Sequence, residues 1–395
     1  MPGIERFSIQ IGLRARQYHA FTQIPALFNS RSPRLDWQLL LQKRWMLVEA
    51  LVTVGLGILC FRGGNRVGRL LLRRGATAND LFKGQNTIAL LFIGIYVTFL
   101  ILALNIPQMQ IFPLTWRVYG MQTTWTIMRV MLIGFCGVAL TIVAKTARKQ
   151  ILTVLLLGAI GVGGFTTTEA YFLTPIHRDL FNNLQPNGVF KQTSMSSCAP
   201  SALATVLQRW EIKEATETSI AKLAGTSRMG TTMPQLIVAA RGFDLNGVEL
   251  APTWEQMRQI NRPGVLGVWL IDGNRKLSHA VALLAMNADK AAIGDPSSGR
   301  IYILNRAEFA QIWREQYVPI FRPNEILLLT TNQASDYLKR SGYLNSNSQD
   351  FKSALQEFQR SSGVKSTGNL DTQTSLLLMG SFLEKVPTLK DFSLD

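Results

Sequence analysis

The sequence predicts a multi-domain chain: an all-α membrane region, then an α+β domain, then a small all-α domain of three helices. Three observations predict it. Uncharged apolar runs near the length of a bilayer crossing are confined to the first 173 of 395 residues. After residue 186, helical periodicity comes first and strand-like alternation follows, the order of an α+β chain. From about residue 333, three short amphipathic segments alternate with Gly, Ser and Asn turns.

In chain order, the first apolar run is WMLVEALVTVGLGILCF, residues 45–61, the weaker candidate because it is short and holds Glu49. Three stronger spans follow. TIALLFIGIYVTFLILAL (87–104) has no charge, MRVMLIGFCGVALTIVA (128–144) has Arg129 at an edge where it can snorkel, and ILTVLLLGAIGVGGF (151–165) extends apolar toward Leu173. The first run begins too late for a cleavable signal peptide. Residues 1–165 are therefore read as the membrane region and 166–186 as a tether.

Charge gives the orientation. The net charge is +16, but nineteen Lys/Arg against six Asp/Glu lie before residue 187, leaving the remainder nearly balanced. Basic residues beside spans are retained on the cytoplasmic side, so the excess argues for topology and against nucleic-acid binding. The loops 62–86 and 145–150 are basic, whereas the connector after Asn105 holds only Arg117 and interfacial aromatics Trp116, Tyr119 and Trp125. Both basic loops inside sends everything after residue 165 outside the inner membrane. The N-terminal segment carries seven basic residues. Either 45–61 lies in the interface or re-enters, or the N-terminus is translocated despite its charge.

Within the polar half, SSCAPSALATVLQRW reads as a helix capped by Ser196 or Ser197, with Pro200 in its first turn and Leu203, Leu207 and Trp210 on one face. Further helices are expected at 216–224, 233–241, 253–260 and 306–316. Strands are expected at 264–271, 279–286, 290–294, 300–304 and 325–330, parted by the turns DGNRK, NAD and DPSSG. The last unit comprises SDYLKRSGYL, FKSALQEFQRSSG and DTQTSLLLMGSF, in which Phe351, Leu355 and Phe358 read as core.

The chemistry centres on one cysteine. Cys60 and Cys136 sit in apolar spans, which leaves no disulfide framework and Cys198 alone in the polar half. A thiol attacks as thiolate, and a helix N-terminus or an adjacent imidazolium lowers its pKa. Of three histidines, His19 precedes the spans and His177 lies in the tether, so His279 remains. An imidazole needs a partner on its other nitrogen. Asp295, sixteen residues on, reaches that position if two antiparallel strands are joined by a short turn. Asp-Pro-Ser-Ser-Gly is also a good turn in its own right. The backbone N–H of Cys198 and the amide of Gln192 supply two donors for an oxyanion.

Gln192, Cys198 at a helix start, His279 and Asp295 before a proline together resemble the papain-like cysteine peptidases of the C39 group, over residues 187–331. The resemblance implies a papain-like α+β fold, with Cys198 as nucleophile, His279 as base and then acid, Asp295 as orienting acid and Gln192 as oxyanion donor. It also implies a peptide or protein substrate and no cofactor or metal. The best-known members are peptidase domains of exporters that cut after a double glycine. This chain holds no GxxxxGK[ST] loop, so no nucleotide is implied and only the reaction class carries over. Residues 333–383, through SALQEFQRSSGV and TGNLDTQT, resemble the three-helix peptidoglycan-binding domain, with Thr367 where that family usually has Asp. Two functions follow: a membrane-anchored thiol peptidase cleaving peptide or isopeptide bonds outside the inner membrane, or a catalytically idle tether to the cell wall.

Overall fold

The computed structural model describes residues 33–80, 86–272, 275–327, 329–344, 350–392 and 394. Most of the basic N-terminal segment and part of the DGNRK turn lie outside the described residues. The chain divides into two compact units, with the boundary between Tyr171 and Phe172.

The first unit is helical: α1 (Pro33–Arg73), α2 (Asn86–Asn105), α3 (Leu114–Thr146) and α4 (Ile151–Leu173). Among the described residues, two helices are long and apolar enough to cross a membrane, Leu114–Thr146 and Arg148–Leu173. The candidate 87–104 lies in α2, and 45–61 lies within the 41-residue α1. Helices α1 and α3 run parallel: Gly64 meets Gly134, Gly68 meets Thr141, and Ala78 N–H donates to Thr146 Oγ1. A Cβ on Gly64 would collide with the Gly134 carbonyl oxygen, so glycine is what lets these backbones approach. Arg129 does not snorkel. It pairs with Glu169, which is buried on α4. Glu169 lies inside the stretch expected to be a tether: residues 166–173 are the last turns of α4.

The second unit carries α5 (Cys198–Gln208), α6 (Glu217–Ala224), α7 (Met233–Arg241), β1 (Asn246–Gly247), α8 (Trp254–Ile260), β2 (Gly264–Asp272), β3 (Arg275–Met286), β4 (Lys290–Asp295), β5 (Arg300–Asn305), α9 (Arg306–Ile312), β6 (Trp313–Phe321), α10 (Pro323–Leu327), α11 (Thr331–Arg340), α12 (Phe351–Ser361) and α13 (Thr372–Met379). The six strands form one antiparallel sheet in the order β1-β6-β2-β3-β4-β5. This is the expected α+β domain. Residues before α5 pack on it: Ile176 N–H donates to Thr226 O, and Ile176 and Leu180 are buried with Ala221.

Two expectations fail here. Residues 325–330 do not form a strand, because Pro323 starts a helical turn and Glu325 accepts from Arg322 N–H while pairing with buried Arg262. The helix expected at 306–316 stops at Ile312, and the sixth strand begins at Trp313. Pro319 hid that strand in the sequence. It is tolerated because the neighbour on one side, β1, is only two residues long.

Helices α11, α12 and α13 coincide with the three segments expected after residue 333. They share a core with the sheet domain: Leu355, Phe358, Leu376 and Leu389 are buried in one cluster with Met257, Ile260 and Leu266. Gln359, fully buried, donates to Thr374 Oγ1 and Asn369 O and accepts from Gly368 N–H, fixing the TGNLD turn. At the junction, a Cβ on Gly380 would collide with Gln259 O.

Candidate active site

The site forms where β4 stops short of its neighbour. Strands β3 and β4 pair as far as Ala282↔Gly294, while β3 continues to Arg275. Beyond that point β3 has a free edge, and the first residue of α5 occupies it. The Cys198 sulfur adjoins the ring of His279 and the backbone N–H groups of Ala280 and Ala199, which favour its ionised form. Extending the register puts Asp295 opposite Val281, so His279 and Asp295 lie diagonally across the two strands rather than directly opposite. The diagonal is short enough: His279 Nε2 lies 2.7 Å from Asp295 Oδ1. His279 and Asp295 are both buried.

The electrostatics follow from the contacts. Burial opposes ionisation of the Cys198 thiol, yet the hydrogen bond and charge of His279, with the two backbone N–H groups, outweigh it and hold the thiol below its ordinary value. Burial also opposes a charge on His279. The hydrogen bonds and charges of Asp295 and Cys198 overcome it and raise the imidazole to about 9. Asp295, despite burial, is held at about 2 by His279 and by the hydroxyl and N–H of Ser297. The arrangement sets a thiol of lowered pKa against an imidazole of raised pKa, backed by a carboxylate.

Three of the four expected site residues are thus joined in series. The fourth, Gln192, lies on the loop leading into α5. Its Nε2 donates to Ser194 O at 3.0 Å, its N–H donates to Pro296 O at 2.8 Å, and its Oε1 is buried without a hydrogen-bond partner. Ser197 occupies the N-cap position without capping. Its hydroxyl instead donates to Ser194 O and accepts from Ser194 N–H, which shapes the loop.

Sequence reasoning missed the residues that hold the others in place. Ser297 Oγ donates to both Asp295 oxygens, at 2.9 and 2.7 Å, and Ser298 Oγ donates to Oδ2 at 2.9 Å. Asp-Pro-Ser-Ser-Gly forms a turn and also seats the Asp295 carboxylate beside His279, because the turn serines are the carboxylate's donors. Thr193 and Glu217 were also unsuspected. Among the described residues, no cluster of His, Cys, Asp and Glu has a metal-binding arrangement.

A helix start set against an antiparallel sheet brings Cys198, His279 and Asp295 together, an arrangement that suits a peptidase domain. Residues 187–325 match the model of the Peptidase C39 family. An uncharacterized protein of Methanothermobacter thermautotrophicus is 31% identical over 137 residues, spanning 34% of this chain and 89% of that protein. Residues 187–325 are thus a C39 peptidase domain. Among solved structures, the peptidase domain of Streptococcus ComA, a bi-functional ABC transporter involved in a quorum-sensing pathway, is 20% identical. The match covers 33% of this chain and 94% of that one, at a TM-score of 0.30. A periplasmic domain of the EpsAB fusion protein of the Vibrio vulnificus type II secretion system is 11% identical. Here 48% of this chain and 82% of that one are covered, at a TM-score of 0.25.

Proposed function

We propose that residues 187–331 hydrolyse peptide or isopeptide bonds with Cys198 as nucleophile. The observation that carries this reading is the series Cys198–His279–Asp295, in which His279 adjoins the Cys198 sulfur and its Nε2 lies 2.7 Å from Asp295 Oδ1. The thiolate adds to the scissile carbonyl carbon, and the carbonyl electrons move onto oxygen. The N–H of Cys198 and the free N–H of Gln192 Nε2 receive that charge. As the C–N bond breaks, the leaving amine takes the proton from His279, leaving a thioester. His279 then removes a proton from water, hydroxide adds to the thioester carbon, and the thiolate departs as the acid product forms. Asp295 keeps its charge and orients the ring throughout.

The helical unit anchors this domain in the bacterial inner membrane. Leu152, Leu155, Leu156, Leu157 and Ile160 on α4, and Leu51, Val54, Ile58 and Leu59 on α1, are exposed, an apolar surface suited to lipid. The parallel course of α1 and α3 favours four crossings with a translocated N-terminus over a re-entrant 45–61. With the basic loops inside, the peptidase domain lies outside the membrane. There, residues 333–383 would meet peptidoglycan.

Iodoacetamide labelling of the detergent-solubilised protein, with the site located by mass spectrometry, tests the chemistry. Cys198 should alkylate near neutral pH at least tenfold faster than Cys60 or Cys136. A Cys198 no faster than those thiols would remove the proposal's basis. A periplasm-dependent reporter fused after residue 190 tests the side: activity is expected, and an inactive fusion overturns the extracytoplasmic assignment.

A further inference from the structure

We infer that Glu217 is a positioning residue that fixes the oxyanion loop, Gln192–Ser194, for acyl transfer at Cys198. The inference rests on the peptidase reading above. Glu217 opens α6 and is fully buried. Among the described residues no Lys, Arg or His is paired with it. A buried carboxylate without a cation is costly unless its oxygens are hydrogen-bonded. Both are bonded, and both to one residue: Thr193 N–H donates to Oε1 at 2.9 Å, and Thr193 Oγ1 donates to Oε2 at 3.0 Å.

Glu217 has little part in capping its own helix. Thr216 and Ser219 form a reciprocal capping box there, which leaves the carboxylate free for the loop. The N-terminal dipole of α6 favours its charge. Thr193 is the residue next to Gln192, so the carboxylate grips the backbone that aims the oxyanion donor. The opposite side of the loop is held by Gln192 N–H on Pro296 O, one residue from Asp295. Gln192 Nε2 gives one N–H to Ser194 O and retains one for the substrate. The loop is thus fixed to α6 on one side and to the Asp295 turn on the other. Loss of the α6 side frees Gln192 without touching the Cys198–His279 contact.

That separation gives a readout that a merely structural role would not move. Alkylation by iodoacetamide needs the thiolate but no oxyanion stabiliser, whereas acylation by 4-nitrophenyl acetate needs both. In the full-length protein, Glu217→Ala should lower the acylation rate by about 10- to 100-fold, bounded by the loss of one oxyanion donor. Alkylation of Cys198 should stay within about twofold of wild type. Glu217→Gln should restore acylation to within about threefold, since its carbonyl accepts from Thr193 N–H and its amide donates to Thr193 Oγ1. Should Glu217→Ala fail to fold, Thr193→Val, which removes one of the two bonds, should show the same split with a smaller loss. Acylation at the wild-type rate in Glu217→Ala, or parallel losses of acylation and alkylation in both variants, overturns the inference. So does a Gln variant no better than Ala. Wild-type Cys198 inert to both reagents overturns the peptidase reading and takes this inference with it.

Discussion

Removal of the Asp295 carboxylate should disarm the thiol without disturbing it directly. His279 stands at about 9 against an ordinary 6.5, and burial alone would place it below 6.5. Asp295 and Cys198 together supply the difference. In Asp295→Ala, His279 loses the Asp295 hydrogen bond and charge, and the imidazole falls from about 9 by the part that Asp295 supplies. The proton shared between sulfur and ring then returns to sulfur. A drop all the way from about 9 to 6.5 would be about 3 kcal/mol, or roughly 300-fold in the ratio of ion pair to neutral pair, and sets the upper bound. The alkylation rate of Cys198 at pH 7 should therefore fall by up to about two orders of magnitude. Asp295→Asn keeps an acceptor for His279 Nε2 but not the charge, so its loss should be intermediate, about tenfold. Stopped-flow or mass-spectrometric alkylation across pH 5–10 measures both. An Asp295→Ala protein that is folded by circular dichroism and alkylates within threefold of wild type would refute the reasoning, because the thiolate would then owe nothing to the ion pair.

Peptide hydrolysis should decline as pH rises through about 9, where His279 loses the proton it gives to the leaving amine, while alkylation of Cys198 does not decline. On the acid side, the Asp295 pKa is depressed from 3.8 to about 2, so its contribution is complete above pH 3.8 and lost as pH falls through 2. Thermal melts of wild type and Asp295→Asn should converge over that interval. Gln192→Ala should lower kcat by about 10²- to 10³-fold with alkylation unchanged, measured on one peptide substrate. Leu389→Ala should destabilise the sheet domain by about 2–5 kcal/mol in chemical denaturation, since Leu389 is buried in the common core.

The candidate series was legible because the chemistry it would serve constrains residue type and order: one cysteine at a helix start, one histidine on a strand, one acid on the next strand. The helices 216–224, 233–241 and 253–260 were legible from caps, each beginning at a threonine that forms a capping box. Residues 325–330 misled because the run from Ile326 to Leu329 has strand composition, while the deciding partner, Arg262, is more than sixty positions away in sequence. Separation along the chain also hid Glu217, behind a run, EATETSI, that reads as a solvated helix start. Its burial depends on Thr193, which no local pattern marks. Ser297 and Ser298 lay in plain view but read as turn formers, since a turn needs the same residues that a buried carboxylate does. Periodicity reports which face of an element is covered and not what covers it.

The shared core changes what a wall-binding role would mean. A three-helix module on a free linker could reach many positions, and its ligand would bear no fixed relation to the thiol. Here Gln256 Nε2 donates to Ser362 O, and Asn261, in the left-handed region at φ 53°, donates to Gly380 O and accepts from Leu389 N–H. Leu389 O in turn accepts from Met286 N–H at the end of β3, the strand that carries His279. Any ligand held by residues 333–383 would therefore sit at a set distance and angle from Cys198. The substrate would be a bond at that spacing from the ligand, in the same polymer or in a protein attached to it. The tether reading requires no such spacing, so a rigid junction between the two sites favours the enzyme.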